Sequence, residues 1–391
     1  MKRYLILSVA FLNAVLLPGF LPAQAAEVRD ARYHIVSDGT AEDAVALLKE
    51  LELRFDAYNQ LFRFDPSLLE SPLAVRVFHD QGAYELYLAG RAGEGIAGAV
   101  YLHYSRPDLR ELVVHRGSPG APDALAYHAF VQFFRAFISE PPAWMQEGLA
   151  VYLAALRYDG DAGQLRYEEN MDALPLVQGL DAAALDPQAI TGAGTGNRPE
   201  HFQALSWALV SFFLNAQDES YYRTFLEVFM ALSPDAGEAA NREAAARRIG
   251  RWTDPGRLGQ DFRDYVAARK TFPDLLREGQ AAYTQGDTAA AELCFLAALG
   301  QRPAHYAPYY YLGLLAYGRG AFDEAAAYYQ AALDYGADRG LLNYALGLNA
   351  AARGWYTEAR DRLEAAALAD PARYAGRAAD LLGRLPEHDA P

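Results

Sequence analysis

The chain has 391 residues, of which 52% are hydrophobic, so it is long enough for two or three domains with a sizeable core. Lysine and arginine together number 35 against 50 aspartate and glutamate residues, and the formal net charge is −15. Nucleic acids and anionic lipids bind to concentrated positive charge, so this composition argues against both as partners. Cys294 is the only cysteine, which excludes an internal disulfide.

The first 25 residues have the pattern of a secretory signal peptide. Lys2 and Arg3 precede a short apolar stretch at residues 5–17, and residues 23–25 supply the Ala-Gln-Ala motif that a signal peptidase accepts. The stretch is shorter than the ~20 apolar residues of a membrane span, although an N-terminal membrane anchor stays open as an alternative. We expect cleavage, which would change the net charge to −17, and export to the periplasm or cell envelope as a soluble protein without a membrane span.

Residues 27–270 combine strand-like and helix-like patterns. Strand-like patterns predict strands at residues 32–36, 73–79, 98–104 and 111–116, with alternation of apolar and polar residues at 73–79. Apolar residues at helical spacing predict a long helix at residues 41–63, and after residue 121 nearly all of this region has a helical pattern. A small sheet followed by helices is typical of the α+β class.

Two helical segments in this region carry residues of the kind that bind metals. His128 and Gln132 are four residues apart, so they lie on one face of a helix. After Pro141 and Pro142, residues 144–150 read Trp-Met-Gln-Glu-Gly-Leu-Ala. This pair of segments resembles the peptidase-MA-like group of gluzincin metallopeptidases, in which one helix carries His-Glu-x-x-His and the next carries Trp-x-x-Glu-Gly-x-Ala.

The resemblance implies a zincin-like domain over residues 27–270, with a small mixed sheet plus helices. In that family the two histidines and the glutamate of the second helix bind zinc, and the glutamate between the histidines activates the metal-bound water. Residues 111–116 would then take the place of the edge strand beside the cleft. A substrate chain adds to that strand in active relatives, so we expect the cleft either to hold a peptide without cutting it or to be a structural remnant.

The sequence departs from the family pattern at the catalytic positions. His128 stands at the first ligand and Glu147 at the third, whereas Ala129 replaces the catalytic glutamate and Gln132 replaces the second histidine. Alanine cannot accept a proton, and a neutral amide is a poor zinc ligand. We therefore predict no catalytic residue, no metal and no cofactor, with His128, Gln132 and Glu147 joined in a hydrogen-bonded cluster. The alternative is a zinc-dependent metallopeptidase with an atypical ligand set, in which a residue from elsewhere joins His128 and Glu147.

The last third of the chain repeats itself with a period of 34 residues. This pattern resembles tetratricopeptide repeats, which implies three helix pairs over residues 272–371 and a capping helix at residues 373–385, within a domain at 272–391. Small residues would let paired helices approach, glycines would turn the chain, and one large residue would fill the gap between neighbouring pairs. The recurring positions are Gly279, Gly313 and Gly347; Gly286, Gly320 and Gly354; Ala291, Ala325 and Ala359; Phe295, Tyr329 and Leu363; and Ala298, Ala332 and Ala366.

In tetratricopeptide stacks, the first helix of each pair lines the inner surface. That surface is aromatic and aliphatic here, unlike the basic clamp with which some relatives hold a terminal carboxylate. We predict that it binds a protein, or an apolar or helical peptide, through tyrosines that offer large contact area at low entropy cost. The alternative is that this face packs on the upstream domain or on itself. The predicted inner-face residues are Leu276, Tyr283, Tyr310, Leu314, Tyr317, Tyr344 and Leu348.

The predicted fold class is therefore α+β: a zincin-like domain is followed by an all-α tetratricopeptide solenoid. The predicted function is that of an exported scaffold, in which a pseudo-metallopeptidase domain is joined to a protein-binding array. The predicted partner is another protein or a peptide, held by the inner face of the array.

Overall fold

The structure, a computed structural model, describes residues 25–387 except residues 94, 169 and 195. The predicted signal peptide lies outside these residues, apart from Ala25. The chain divides into two compact units, Met1–Arg269 and Lys270–Pro391. Within the described ranges, no helix is both long enough and apolar enough to cross a membrane.

The upstream unit is built around a five-stranded mixed sheet. Its strands are β1 (Ala26–Arg29), β2 (Tyr33–Ser37), β3 (Leu73–Phe78), β4 (Ala99–Leu102) and β5 (Glu111–His115). In space they follow the order β1-β2-β3-β5-β4. The central strands β2, β3 and β5 run parallel, and β1 and β4 pair antiparallel at the two edges.

β5 is an internal strand, so the prediction that residues 111–116 form an edge strand is wrong. β3 pairs with one side of β5 and β4 pairs with the other, which leaves β4 at the edge of the sheet. Leu112, Val113 and Val114 are fully buried, as expected for consecutive apolar residues in a strand that is covered on both faces. The sequence-based prediction omits β1, although its residues Ala-Glu-Val-Arg alternate between apolar and polar.

Helices α1 (Ala41–Phe62) and α2 (Gln81–Leu88) cover opposite faces of the sheet. Side chains of β5 point alternately to the two faces. Val113 packs with Tyr84 of α2 in a small cluster, whereas Leu112 belongs to the main core that α1 enters. The sheet therefore separates a small core from a large one.

The large core is completed by α3 (Ala121–Phe137) and α4 (Ala143–Leu153). α3 contacts the strands β4 and β5 on one side, and the helices α1 and α4 elsewhere. Aromatic rings fill much of this space, such as Phe55 and Phe133, whose ring centroids are 5.0 Å apart in an edge-to-face arrangement. This packing places the two metal-site-like segments next to each other and beside the sheet.

The rest of the upstream unit is helical over its described residues, apart from one short hairpin and two 3₁₀ turns. The hairpin departs from the helical pattern predicted for this region. Its two strands have only four residues each, and the sequence-based prediction does not include them. The elements are the hairpin β6 (Leu156–Asp159) and β7 (Gln164–Tyr167), the helices α5 (Leu174–Gln178), α6 (Pro187–Gly192), α7 (Phe202–Asn215), α8 (Glu219–Met230), α9 (Glu238–Trp252) and α10 (Pro255–Ala268), and the 3₁₀ turns Pro66–Leu68 and Pro107–Leu109.

The second unit is all-helical over its described residues, and consecutive helices pack as pairs. The capping helix begins and ends slightly earlier than the predicted range 373–385. The pairs are α11 (Phe272–Gln285) with α12 (Thr288–Gln301), α13 (Tyr306–Gly318) with α14 (Phe322–Asp334), and α15 (Arg339–Ala352) with α16 (Tyr356–Ala369), followed by α17 (Pro371–Leu382).

The repeating glycines and large residues pack on each other within a repeat. A Cβ atom at Gly279 of α11 would lie 2.7 Å from the Phe295 ring of α12, which is too close for any side chain. The equivalent pairs are Gly313 with Tyr329 and Gly347 with Leu363. The large residue therefore fills space inside its own helix pair, and not only between pairs as predicted.

The turn glycines have a separate role. Gly286, Gly320 and Gly354 follow the first helix of each pair and have φ angles of 80°, 78° and 78°. This left-handed conformation strains residues with a Cβ atom. Glycine therefore recurs at this position because the chain must reverse there.

The capping helix α17 covers the end of the stack with one narrow stripe. Tyr374 and Ala378 are fully buried, and they lie four residues apart on one face of the helix. Tyr374 packs against Tyr344 of α15, with ring centroids 5.3 Å apart. The neighbouring Arg373 and Arg377 are exposed, as expected for the outer surface of a terminal helix.

We expect Gly279→Ala to lower the free energy of unfolding of the full chain by about 1–3 kcal/mol, because the added methyl group overlaps the Phe295 ring. Denaturant titration followed by circular dichroism measures the change. Gly300→Ala in α12 is the matched control, because a methyl group at that position would meet no neighbouring side chain within 4 Å. That control should be stabilising by about 0.5–1 kcal/mol. Equal effects of the two substitutions would contradict the packing argument.

Candidate functional site

His128 contacts the edge strand. The main-chain N–H of Tyr101 donates a hydrogen bond to Nδ1 of His128, over 3.3 Å. Because the N–H of His115 donates to the Gly98 carbonyl, antiparallel alternation turns the main-chain groups of Ala99 and Tyr101 away from β5. The His128 ring therefore caps one of the outward N–H groups of β4. A peptide that added to this strand would have to displace the ring.

Burial lowers the pKa of His128 to about 4. The ring is therefore neutral near pH 7, and a neutral ring has a free lone pair on one nitrogen. The Tyr101 N–H needs such a lone pair as its acceptor. The burial and the hydrogen bond thus favour the same protonation state.

Ala129 and Gln132 face the protein interior. Ala129 is 2% exposed and belongs to the large core. The side-chain amide of Gln132 donates from Nε2 to the main-chain carbonyl of Ala74 in β3, over 2.8 Å. Its Oε1 atom is buried and has no hydrogen-bond partner among the described residues. Gln132 therefore acts as an anchor between α3 and the sheet.

Glu147 has three hydrogen-bond donors around its carboxylate. The hydroxyl of Tyr127 donates to it, together with Nη1 of Arg198 at 3.3 Å and Nε2 of Gln203 at 3.4 Å. Burial and the nearby Glu147 charge both raise the pKa of Tyr127, which keeps that hydroxyl protonated as a donor. Glu147 thus joins α4 to α3 and to the segment that leads into α7.

The predicted hydrogen-bonded cluster of His128, Gln132 and Glu147 is therefore wrong. Each of the three side chains bonds to a different partner. The reason is that His128 and Gln132 meet main-chain groups of the sheet, which need partners when buried, whereas the α3 side chain that reaches Glu147 is Tyr127. A spacing of four residues along a helix gives a shared face, but it does not determine what lies opposite that face.

The residues at these positions do not fit a catalytic zinc ion. Such an ion needs three good protein ligands, whereas Gln132 bonds to the sheet and the Glu147 carboxylate already faces the Arg198 cation. Over the described parts of the chain, no three His, Cys, Asp or Glu side chains come together as a metal-binding group.

The Trp-x-x-Glu-Gly-x-Ala phrase has a packing explanation of its own. A Cβ atom at Gly148 would overlap the Ser206 carbonyl and lie 2.6 Å from Val210 in α7. Trp144 and Ala150 are fully buried on either side of this contact. Glycine at 148 therefore lets α4 and α7 touch, and tryptophan and alanine fill the space around the contact.

The predicted inner-face tyrosines lie among other aromatic rings. The Tyr283 ring lies 6.0 Å from the Tyr311 ring, and Tyr310 lies 5.2 Å from that same ring. Tyr317 packs on Phe322, and Tyr344 packs on Tyr374. Tyr311 and Tyr374 are not among the residues predicted for this face; Tyr311 belongs to the run of tyrosines in α13, whereas Tyr374 lies in α17. Leu276, Leu314 and Leu348 are partly buried.

Acidification should lower the free energy of unfolding, because His128 is neutral in the fold. Its pKa is about 4 in the fold and about 6.5 in an unfolded chain, so the unfolded chain takes up the proton first. His128 therefore stabilises the fold above about pH 6.5, and this contribution is lost as the pH falls towards 4. We expect His128→Asn, which keeps an acceptor for Tyr101, to reduce the acid-induced loss of unfolding free energy by about 3 kcal/mol.

Denaturant titrations at several pH values measure this slope. His201→Asn is the control, because His201 lies at the left-handed start of α7 and asparagine tolerates that conformation. An equal change of slope in both variants would point to a general effect of removing a histidine. A His128→Asn variant with the same slope as the wild type would rule out this role for the ring.

Comparison with known protein families gives a match within the second unit. Residues 276–340 match the family described as Tetratricopeptide repeat. The resemblance of residues 27–270 to gluzincins is not supported by a family match. Comparison with curated proteins gives no match. The helical array from α11 to α17 agrees with this match, which covers most of its first two helix pairs.

Proposed function

We propose that this protein is a scaffold whose tetratricopeptide array holds a segment of another protein. The observation that carries the proposal is the family match over residues 276–340, since such repeats generally mediate protein–protein interactions. The binding surface is the tyrosine face, which we define as the seven predicted inner-face residues together. The tyrosine face consists of Leu276, Tyr283, Tyr310, Leu314, Tyr317, Tyr344 and Leu348.

The chemistry of the tyrosine face favours an apolar or helical segment as its ligand. Tyr283 is 37% exposed, and the other six residues are partly buried, so ring surface is accessible at a low entropy cost. Burial and neighbouring tyrosines raise the pKa of Tyr310, so its hydroxyl stays neutral and can donate a hydrogen bond. The tyrosine face itself contains no charged residue.

The upstream unit is proposed to be a non-catalytic, zincin-like domain. Ala129 occupies the position of the general base and lies in the core. Gln132 and Glu147 are engaged by the sheet and by Arg198. A zinc-dependent hydrolase with an atypical ligand set has no support in this geometry. The proposed contribution of the unit is therefore structural, or that of a second binding surface.

Substitution of the tyrosine face tests the scaffold function. We expect the double variant Tyr310→Ala, Tyr317→Ala to recover about tenfold less, or lower, of the proteins that cross-link to the wild-type chain in its native cells. The reason is that two aromatic anchors are removed. Quantitative mass spectrometry after cross-linking measures the loss, and circular dichroism checks the fold. Tyr335→Ala is the matched control, since this exposed tyrosine ends the second helix of its pair. An unchanged set of cross-linked proteins would refute the proposal.

Metal analysis tests the absence of zinc chemistry. We expect the purified protein, after incubation with zinc and dialysis, to retain far less than one zinc ion per chain and to cleave no unfolded protein substrate. Elemental analysis and a peptidase assay measure the two outcomes. One bound zinc per chain, with cleavage that a chelator stops reversibly, would contradict the non-catalytic assignment.

Export is proposed from the pattern of residues 1–25. Lys2, Arg3 and the apolar stretch precede a signal-peptidase motif that ends at Ala25. We expect the protein isolated from the cell envelope to begin at Ala26. N-terminal sequencing measures this, and an intact N-terminus on protein found in the cytosol would contradict export.

A further inference from the structure

A group of polar side chains lies where the chain leaves the edge strand. His103 follows β4, Arg110 precedes β5, Arg135 lies in the last turn of α3, and Glu140 lies between α3 and α4. Nε2 of His103 is 3.2 Å from a Glu140 carboxylate oxygen, and Nη1 of Arg135 is 3.5 Å from the same oxygen. Arg110 joins the group through Ser139, with Nη2 3.5 Å from the Ser139 hydroxyl. We call His103, Arg110, Arg135 and Glu140 the basic group.

Main-chain hydrogen bonds hold the basic group in place. Nε of Arg110 donates to the Tyr104 carbonyl over 2.7 Å, and Nη1 of Arg135 donates to the Ser139 carbonyl over 3.2 Å. The side chain of Asn241 donates to the Glu140 carbonyl over 2.9 Å. The guanidinium groups are therefore oriented before any ligand arrives, which lowers the entropy cost of binding.

Several donors in the basic group are unfilled. Considering only the residues that the structure describes, Nη1 of Arg110 and Nη2 of Arg135 make no hydrogen bond. Nδ1 of His103 is buried and has no partner in the same set of residues. Buried polar atoms in proteins are normally paired. The open N–H groups of Arg110 and Arg135 match a ligand that carries acceptor atoms, whereas Nδ1 of the neutral His103 ring holds a lone pair and becomes a donor only when the ring is protonated.

The charges of the basic group do not cancel. The basic group contains two guanidinium groups and one carboxylate, which pairs with Arg135, so one positive charge is left over on a chain whose net charge is −15. Burial lowers the pKa of Arg135, and the Arg110 charge adds to that effect. Burial, Arg135 and Arg110 also lower the pKa of His103, to about 4. Near pH 7 the group therefore consists of two arginine cations, a neutral histidine and one glutamate.

We propose that the basic group binds a carboxylate, supplied by the C-terminus or an acidic side chain of a peptide. A carboxylate carries the one negative charge that neutralises the group, and its two oxygens match the planar fork of a guanidinium group. His103 and Arg135 are partly exposed, so a ligand can reach them from solvent. This site lies in the upstream unit and does not depend on the function proposed for the tyrosine face.

Titration of the full chain with matched peptides tests the proposal. The probes are N-acetyl-trialanine with a free C-terminal carboxylate, its C-terminal amide, and the amide of N-acetyl-Ala-Asp-Ala. We expect at least one of the two carboxylate peptides to bind about tenfold or more tightly than the trialanine amide, by calorimetry or by shifts of the His103 ring signals. Comparison of the two carboxylate peptides distinguishes a terminal from a side-chain source. Equal binding of all three probes, or no binding, would overturn the proposal.

Two substitutions and one control locate the binding. Arg110→Gln and Arg135→Gln should each lower the affinity for the carboxylate peptide by about tenfold or more. Arg106→Gln should leave the affinity unchanged, because Arg106 is exposed on the same loop and pairs with Asp108. Thermal unfolding checks each variant, and Arg110→Gln decides the outcome if Arg135→Gln fails to fold. Equal loss with Arg106→Gln, or tighter binding of inorganic phosphate than of the carboxylate, would contradict the assignment.

The pH dependence provides a second readout. The charged or titratable groups that face His103 are Arg110, Arg135, Glu140 and the Tyr101 hydroxyl. A bound carboxylate offsets the repulsion from the two arginines and so favours the protonated ring. The affinity should therefore rise a few-fold between pH 7 and pH 5.5, and His103→Asn should remove that rise. An affinity that does not change with pH in the wild type would exclude His103 from the site.

Discussion

The upstream unit depends on how α3 bonds to the sheet beneath it. A buried helix that lies against a sheet leaves main-chain groups that water cannot reach, and these groups must be paired. His128 accepts from the N–H of Tyr101 at the edge, and Gln132 donates to the carbonyl of Ala74 further in. The two positions that resemble zinc ligands thus join α3 to the sheet. The position of α3 in turn sets where α4 and Glu147 lie.

Packing accounts for the residues of the Trp-x-x-Glu-Gly-x-Ala phrase. Gly148 allows α4 to touch α7, and Trp144 fills the core beside that contact. Both residues are required by the fold alone, whatever the metal content. The Glu147 carboxylate within this phrase faces Arg198, so the phrase has a structural explanation that needs no zinc ion.

The features that could be read from the sequence are local or periodic. The 34-residue repeat was visible because each copy needs a glycine under a large side chain, as at Gly279 and Phe295. Strand pairing is non-local. The apolar residues of β5 therefore predict a strand but not which strands lie beside it, and the predicted edge position is wrong for this reason. The partners of His128 could not be predicted either, because they depend on which strand lies beside α3.

The cap formed by α17 limits what the array can hold. Tyr374 and Ala378 form the buried stripe of this helix, and the charged side chains of Arg373, Arg377 and Asp380 are exposed beside it, which disfavours the stacking of another helix pair there. Extension of the helical stack beyond α17 is therefore disfavoured. If the proposed function holds, a bound segment would contact the three helix pairs that precede this cap, and a longer partner would leave part of its length outside the array. Selectivity between partners then rests on one short stretch of their sequence.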